Sequence, residues 1–171
     1  RQKGQIARKI SGQVMLDSTE VADALGDSTL LASYGFTPTD VFSLIMPDTY
    51  QVYWTASMKD ILDRLKAAYD AFWTSGNVAK AEALGLTPKQ VSIVASIVRS
   101  ESNHAPEYPS IAGVYLNRLR LGMKLQADPT VAYCHGYSLN RILLKHLEVD
   151  SPYNTYLHEG LPPGPICVPD K

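Results

Sequence analysis

One carboxylate, Glu101, stands in the last turn of an otherwise apolar helical run, TPKQVSIVASIVRSES, residues 87–102. With Val91 at zero and about 100° per residue, Val94 falls near 300°, Ile97 near 240° and Glu101 near 280°, between the two. A carboxyl group on an apolar face is costly to ionise without a partner. Burial there would favour the protonated form, and a protonated glutamate can serve as a general acid. The structural alternative is that the last turn opens to solvent and Glu101 pairs with Arg99, Arg118 or Arg120.

Three further segments carry polar residues that look placed rather than scattered: Asn117-Arg118, LQADPT at 125–130 and SPYNTYLHEGLPPGP at 151–165. The last combines Tyr153, Asn154 and Tyr156. Aromatic rings stack on pyranose faces, and amides hydrogen-bond hydroxyl and N-acetyl groups. Each segment also has a purely structural reading. Asn117 could be a core amide that needs partners. Asp128 could be a helix cap before Pro129, and the loop could be a turn-rich closure. Ser96, His104 and Asp128 form a triad only on paper, because no GxSxG elbow accompanies them.

Other chemistries find little footing. His104, His135, His146 and His158 lack metal-ligand spacing, so no metal site is expected. No glycine-rich phosphate loop is present. The basic residues are dispersed, with no aromatic-interleaved patch for nucleic acid. For Cys134 and Cys167, one disulfide and two separate thiols both stay open.

The elements that must hold Glu101 follow from periodicity and caps. The chain has 171 residues, 45% of them apolar, and a net charge of −1. That suits one domain, or one and a half, with no general attraction to anionic partners. No apolar run is long enough to cross a bilayer. The chain opens at Arg1 without methionine and stops at Lys171 after a Pro/Gly-rich stretch, which reads as a piece of a longer protein. Thr87, Pro88 and Gln90 predict a capping box at the start of the acid-bearing helix. Short helices are expected over 5–11, 19–25, 28–35 and 39–45, and a long amphipathic one over 58–73, ended by Ser75-Gly76-Asn77. Further helices are expected over 78–84, 110–121, 129–134 and 138–144, with extended pieces near 50–54, 123–126 and 164–168. The expected class is α+β, predominantly helical with a few short strands. By functional analogy only, the layout around the acid-bearing helix would be lysozyme-like.

Four strings carry a family resemblance: MPDTY (46–50), ASIVRSES (95–102), VYLNRLRLGMKLQADPTVAY (114–133) and YNTYLHEGLPPGPI (153–166). With the amphipathic helix after the first string they cover nearly all of the chain. On them the chain resembles the endolytic murein transglycosylases of the YceG-like (MltG) type. The resemblance places Glu101 at the family's catalytic glutamate. Where the family pattern often reads Glu-Lys-Glu-Thr, this chain has Arg99-Ser100-Glu101-Ser102: the acid is kept and the two residues before it differ.

The resemblance implies cleavage of the β-1,4 bond between MurNAc and GlcNAc within peptidoglycan strands, leaving 1,6-anhydro-MurNAc ends. One glutamate would act as acid and then as base, without a cofactor. Asn117, Gln126, Asp128, Thr130, Tyr153, Asn154 and Tyr156 are the candidates for holding the glycan or orienting Glu101. It further implies an N-terminal inner-membrane anchor outside this chain, a catalytic domain on the periplasmic, cell-wall side, and cell-wall synthesis proteins as neighbours. Residues 1–85 would be a helical lead-in, and 86–171 a catalytic part truncated at its C-terminal end. Two other readings remain. One is a wall-binding scaffold that uses the aromatic loop and has no need of Glu101. The other is a pyridoxal-phosphate lyase of the aminodeoxychorismate type, for which Lys89, Lys124 and Lys145 are available but no phosphate cradle is.

Overall fold

The computed structural model describes residues 3–170; Arg1, Gln2 and Lys171 lie outside them. Eight α-helices follow one another among these residues: α1 (Lys3–Ser11), α2 (Ser18–Ala24), α3 (Ser28–Ala32), α4 (Met58–Phe72), α5 (Ser75–Ala83), α6 (Pro88–Glu101), α7 (Tyr108–Arg120) and α8 (Asp128–Cys134). Short 3-10 turns intervene at Val41–Ser43, Ala105–Glu107 and Leu144–Glu148.

Local chemistry sets most of the starts. At α6 the Thr87 hydroxyl accepts from the Gln90 N–H, and the Gln90 side chain accepts from the Thr87 N–H at 2.8 Å. Asp17 with Glu20, and Ser57 with Asp60, build the same reciprocal box at α2 and α4. Each satisfies donors that a helix end leaves open, and each such cap is worth about 1 kcal/mol.

Two apolar cores form. The first gathers Val21, Leu25, Leu31, Val41, Phe42, Leu44, Ile61, Leu62 and Leu65 from the first four helices and the turn at Val41–Ser43. The second gathers Ile93, Val94, Ile97 and Val98 of α6 with Tyr115, Leu125, Ala127 and Ile166. Helix α6 packs against α5, α7, α8 and the turn at Val41–Ser43. It is thus buried on several sides, and its serines permit close approach. Ser96 is fully buried and receives the Ile166 N–H on its hydroxyl at 3.1 Å. The Cys167 thiol donates to the Ser96 carbonyl at 3.3 Å. Neither Cys134 nor Cys167 is in a disulfide.

The two halves are fastened together at specific points. Lys89 of α6 reaches the Gly35 carbonyl at 2.7 Å and the Asp40 carboxylate at 2.6 Å, with its ammonium 4.5 Å from the centre of the Phe36 ring. Gly164 lies against Thr39: a Cβ there would stand 2.1 Å from the Thr39 carbonyl oxygen. Only glycine fits so close to another segment's backbone.

The α+β expectation is overturned. No strand occurs among the described residues; the class is helical. The extended pieces exist but do not pair with one another, because their backbone groups find other partners. At 123–126, the Gln126 N–H goes to the Thr155 carbonyl, while Arg118 takes the Lys124 and Leu125 carbonyls. At 164–168, the Ile166 N–H goes to Ser96 and its carbonyl accepts from the Tyr137 hydroxyl. Residues 50–54 are open loop, with Tyr53 and Trp54 exposed. Three helical expectations fail as well. Residues 39–45 form no α-helix, only the 3-10 turn at Val41–Ser43. Ser75-Gly76-Asn77 opens α5, capped by Thr74, instead of merely ending α4. Residues 138–143 form no helix, and the turn comes later, at Leu144–Glu148.

Candidate active site

Helix α6 delivers Glu101 to its own C-terminal end, where the side chain is exposed. The apolar burial anticipated for it is therefore absent. The wheel position was right for the helix interior, but the core ends at Val98, one turn earlier. The ion pair with Arg99 is absent as well: Arg99 pairs with Asp170 at 2.7 Å and donates to Asn103. The partner of Glu101 is Tyr115, whose hydroxyl donates a hydrogen bond to Oε1 of the carboxylate.

Tyr115 comes from α7, which lies against α6, and only 7% of its surface is exposed. Burial and the bond to Glu101 push its hydroxyl far above the ordinary tyrosine range, so it stays a donor. Arg118, one turn further along α7, acts electrostatically on Tyr115 and Tyr156 alike. Its Nη1 is fixed on the Leu125 carbonyl at 2.6 Å and reaches the Gln126 side chain at 3.3 Å. The guanidinium therefore ties α7 to the segment that precedes α8. Tyr115 was not singled out from the sequence, and Arg118 was noted there only in the polar pair Asn117-Arg118 and as a possible partner of Glu101. The signal for Tyr115 was a phenol inside an apolar helix, whose hydroxyl must find a partner when buried.

The anticipated residues divide into three groups. Tyr156 feels the charge of Glu101 and bonds Asp128, while Gln126 meets Arg118. Gln126 is exposed and held at φ 51°, a left-handed conformation costly for a residue with a side chain. Its N–H donates to the Thr155 carbonyl at 3.0 Å. Tyr156 donates from its hydroxyl to the Asp128 carboxylate at 2.6 Å. Burial first, then Asp128, with a contribution from Glu101, raises the Tyr156 hydroxyl to about 12.

Thr130, Asn154 and Tyr153 hold the loop from within. Thr130 and Asn154 are fully buried. The Asn154 amide donates to the Leu147 and Val149 carbonyls at 2.9 and 2.8 Å, and its oxygen accepts from the Tyr156 N–H. The Thr130 hydroxyl contacts the Thr155 hydroxyl at 2.9 Å and the Ala127 carbonyl at 2.7 Å. Tyr153 is half-buried, its ring 4.7 Å from that of Tyr133. Asn117 stands apart. It is exposed, receives Arg120, and lies two residues from Tyr115, hence about 200° around α7 from the face that meets Glu101.

A separate cavity of about 910 Å³ opens between α1, α4 and the C-terminal segment. Its walls include Arg99 and Ser100 but not Glu101. The carboxylates of Glu101 and Asp128 are instead exposed, at the end of α6 and the start of α8. Lys89 is engaged by Asp40 and the Gly35 carbonyl. No group of three or more His, Cys, Asp or Glu suited to a metal ion occurs among the described residues.

The chain as a whole is similar to several known proteins. An endolytic murein transglycosylase of Bacillus subtilis is 49% identical over 74 residues, 43% of this chain and 21% of that protein. A Streptococcus pneumoniae protein of the same name is 31% identical over 130 residues, 73% of this chain and 23% of its own length. The crystal structure of a YceG-like protein from Listeria monocytogenes superposes with a TM-score of 0.79 at 31% identity, over 96% of this chain and 59% of that one. The chain thus spans under a quarter of those two transglycosylases and about three fifths of the Listeria chain. The model of the YceG-like family matches residues 1–171, so the chain belongs to the YceG-like family.

Proposed function

We propose that this chain carries the catalytic glutamate of a lytic transglycosylase acting within peptidoglycan glycan strands. The observation that carries the reading is Glu101: an exposed carboxylate at the end of a rigidly packed helix, bonded by Tyr115 and bordered by Tyr156, Arg118, Gln126 and Asp128. The names borne by the Bacillus and Streptococcus relatives point the same way.

The chemistry needs one acid and no water. Protonated Glu101 gives its proton to the oxygen that joins C1 of MurNAc to C4 of GlcNAc, and the C1–O bond breaks. The carboxylate then takes the proton of the C6 hydroxyl of the same MurNAc. O6 closes on C1, leaving a 1,6-anhydro end. One group thus serves in turn as acid and base. A hydrolase would instead use a second carboxylate and a water. Gln126, Asp128 and Tyr156 are the exposed or half-exposed groups placed to meet the sugar. Thr130, Asn154 and Tyr153 support them from below. Asn117 has the weakest claim to sugar contact.

Residues 1–85 would then act as a helical lead-in against which 86–171 is held. No helix among the described residues is long and apolar enough to cross a membrane. An anchor in the inner membrane, a catalytic face on the cell-wall side and cell-wall synthesis proteins as neighbours belong to this proposal for the whole protein.

The test is Glu101→Gln assayed on purified glycan strands. Anhydro-ended products should fall by about 10²–10⁴-fold, the usual worth of a general acid–base group. Anhydro products at the wild-type rate would remove Glu101 from the mechanism. Water-terminated reducing ends from the unaltered protein would point to hydrolysis, with Asp128 as the second carboxylate. Unchanged function in cells carrying Glu101→Gln would favour the scaffold reading.

A further inference from the structure

The geometry points to Tyr115 as the positioning residue of the acid: its hydroxyl fixes the carboxylate of Glu101 through Oε1, which leaves Oε2 to carry and exchange the reacting proton. The inference rests on the function proposed above and adds a residue to it.

Three observations carry it. First, the bond links two helices, so it constrains a side chain that stands at an exposed helix end. An exposed glutamate without such a tie samples several rotamers, each with its own loss of reactive alignment. Second, the Tyr115 ring is embedded in the second core with Ile93, Val94, Ile97 and Val98, so the hydroxyl is presented by a rigid mount. Third, a phenol so placed donates one hydrogen bond and does not ionise in the working range. The oxygen it holds is therefore the acceptor, and a carboxylic acid proton belongs on the other oxygen.

The same bond has a second effect. The donor on Oε1 can stay in place after the proton has left Oε2, so the same contact holds the side chain in both states of the cycle. The other polar and charged groups facing the pair are Arg118 on α7, Tyr156 from the loop, and Asp128 at the start of α8, which Tyr156 engages. Tyr115 is the group among them that touches Glu101 from inside the core.

The experiment is Tyr115→Phe in the intact protein, with kcat and KM measured on glycan strands across pH. Phenylalanine keeps the ring in the core and removes only the donor. We expect kcat to drop about 10- to 100-fold, the scale of a misplaced catalytic group, with KM within about twofold. An unchanged kcat would overturn the inference. So would a fall in kcat accompanied by a matching rise in KM, since that is what a packing defect gives. If Glu101→Gln keeps wild-type activity, the function itself fails. If Glu101→Gln is inactive and Tyr115→Phe is normal, only this inference fails. A check independent of activity is the Tyr115 hydroxyl proton in the unaltered protein, observed by NMR. It should be protected from exchange and lose that protection in Glu101→Ala; its absence in the unaltered protein would count against the bond.

Discussion

The two cores solve the same packing problem by different means. The first, built by α1 to α4, is almost purely aliphatic and aromatic; its single buried polar residue, Ser43, has no hydrogen-bond partner for its hydroxyl among the described residues. The second, around α6, holds Ser92, Ser96, Thr130, Asn154 and Thr155 buried, and every one has a partner. Apolar contacts are non-directional and tolerate a change of shape. Buried hydrogen bonds are directional and tolerate neither loss nor displacement. The half that carries Glu101 is the half that relies on directional bonds.

That contrast can be broken by substitution. The largest effect is expected in the first core, where Leu62→Ala should cost about 2–5 kcal/mol and Leu62→Met less than about 1.5, measured by denaturant unfolding. In the second core, shape is not enough. Asn154→Ala strips two carbonyls and the Tyr156 N–H of their partner and should cost about 2–4 kcal/mol. Thr155→Val keeps the volume but deprives the Ala127 N–H and the Thr130 hydroxyl of their oxygen, for about 1–3 kcal/mol. A neutral Thr155→Val would erase the distinction between the halves.

Titration sharpens the comparison further. Tyr69, in the first core, and Tyr156, beside the site, are both raised to about 12, Tyr69 chiefly by burial and Tyr156 by burial and then by Asp128. Each favours its protonated form when folded. The associated stability is thus complete below pH 10, the unfolded tyrosine value, and is lost as pH rises from there through about 12. Asp128→Asn should lower the Tyr156 transition and leave that of Tyr69 in place, read from tyrosinate absorbance. The smallest effect lies at low pH. Asp17 is held below the usual carboxylate range by the Glu20 and Thr19 N–H groups, and Asp60 by Ser57. Both contributions are present above about pH 4 and fade as pH falls through the lowered values. Ser57→Ala should remove the Asp60 share and leave the α6 half untouched, as followed by acid unfolding monitored separately at Trp73 and at the Tyr133–Tyr153 pair.

Much of this was legible because it is local. The Thr87-Pro88-Gln90 start of α6, the Ser57 start of α4 and the spacing of Ile61, Leu62 and Leu65 are short-range signals, and the structure has them within a residue or two. The supposed strands were not legible, because a strand is defined by its partner. At 123–126 and 164–168 the partners are the Arg118 and Ser96 side chains, which no alternation pattern reveals. The setting of Glu101 failed for a related reason: a wheel gives direction around a helix and says nothing about where along it the core stops. Tyr156 does bond Asp128 and feel the charge of Glu101, whereas the placement of Asn117 turns on a helical phase that its neighbours, apolar nearly all round, did not define. Tyr115 needed a third dimension, since fourteen residues and a loop separate it from its partner.

The contact of Gly164 with the Thr39 carbonyl bears on how the protein can be taken apart. The segment that follows Tyr153 to Tyr156 meets Thr39 of the N-terminal half at a point, Gly164, where not even a methyl group fits. Lys89 makes a second such point at Asp40. A chimaera that joins residues 1–85 of one relative to residues 86–171 of another would inherit neither match automatically. The two stretches are therefore not interchangeable parts: they must be exchanged together, or the donor at 89, the acceptor at 40 and the bare backbone at 164 must be carried across with them.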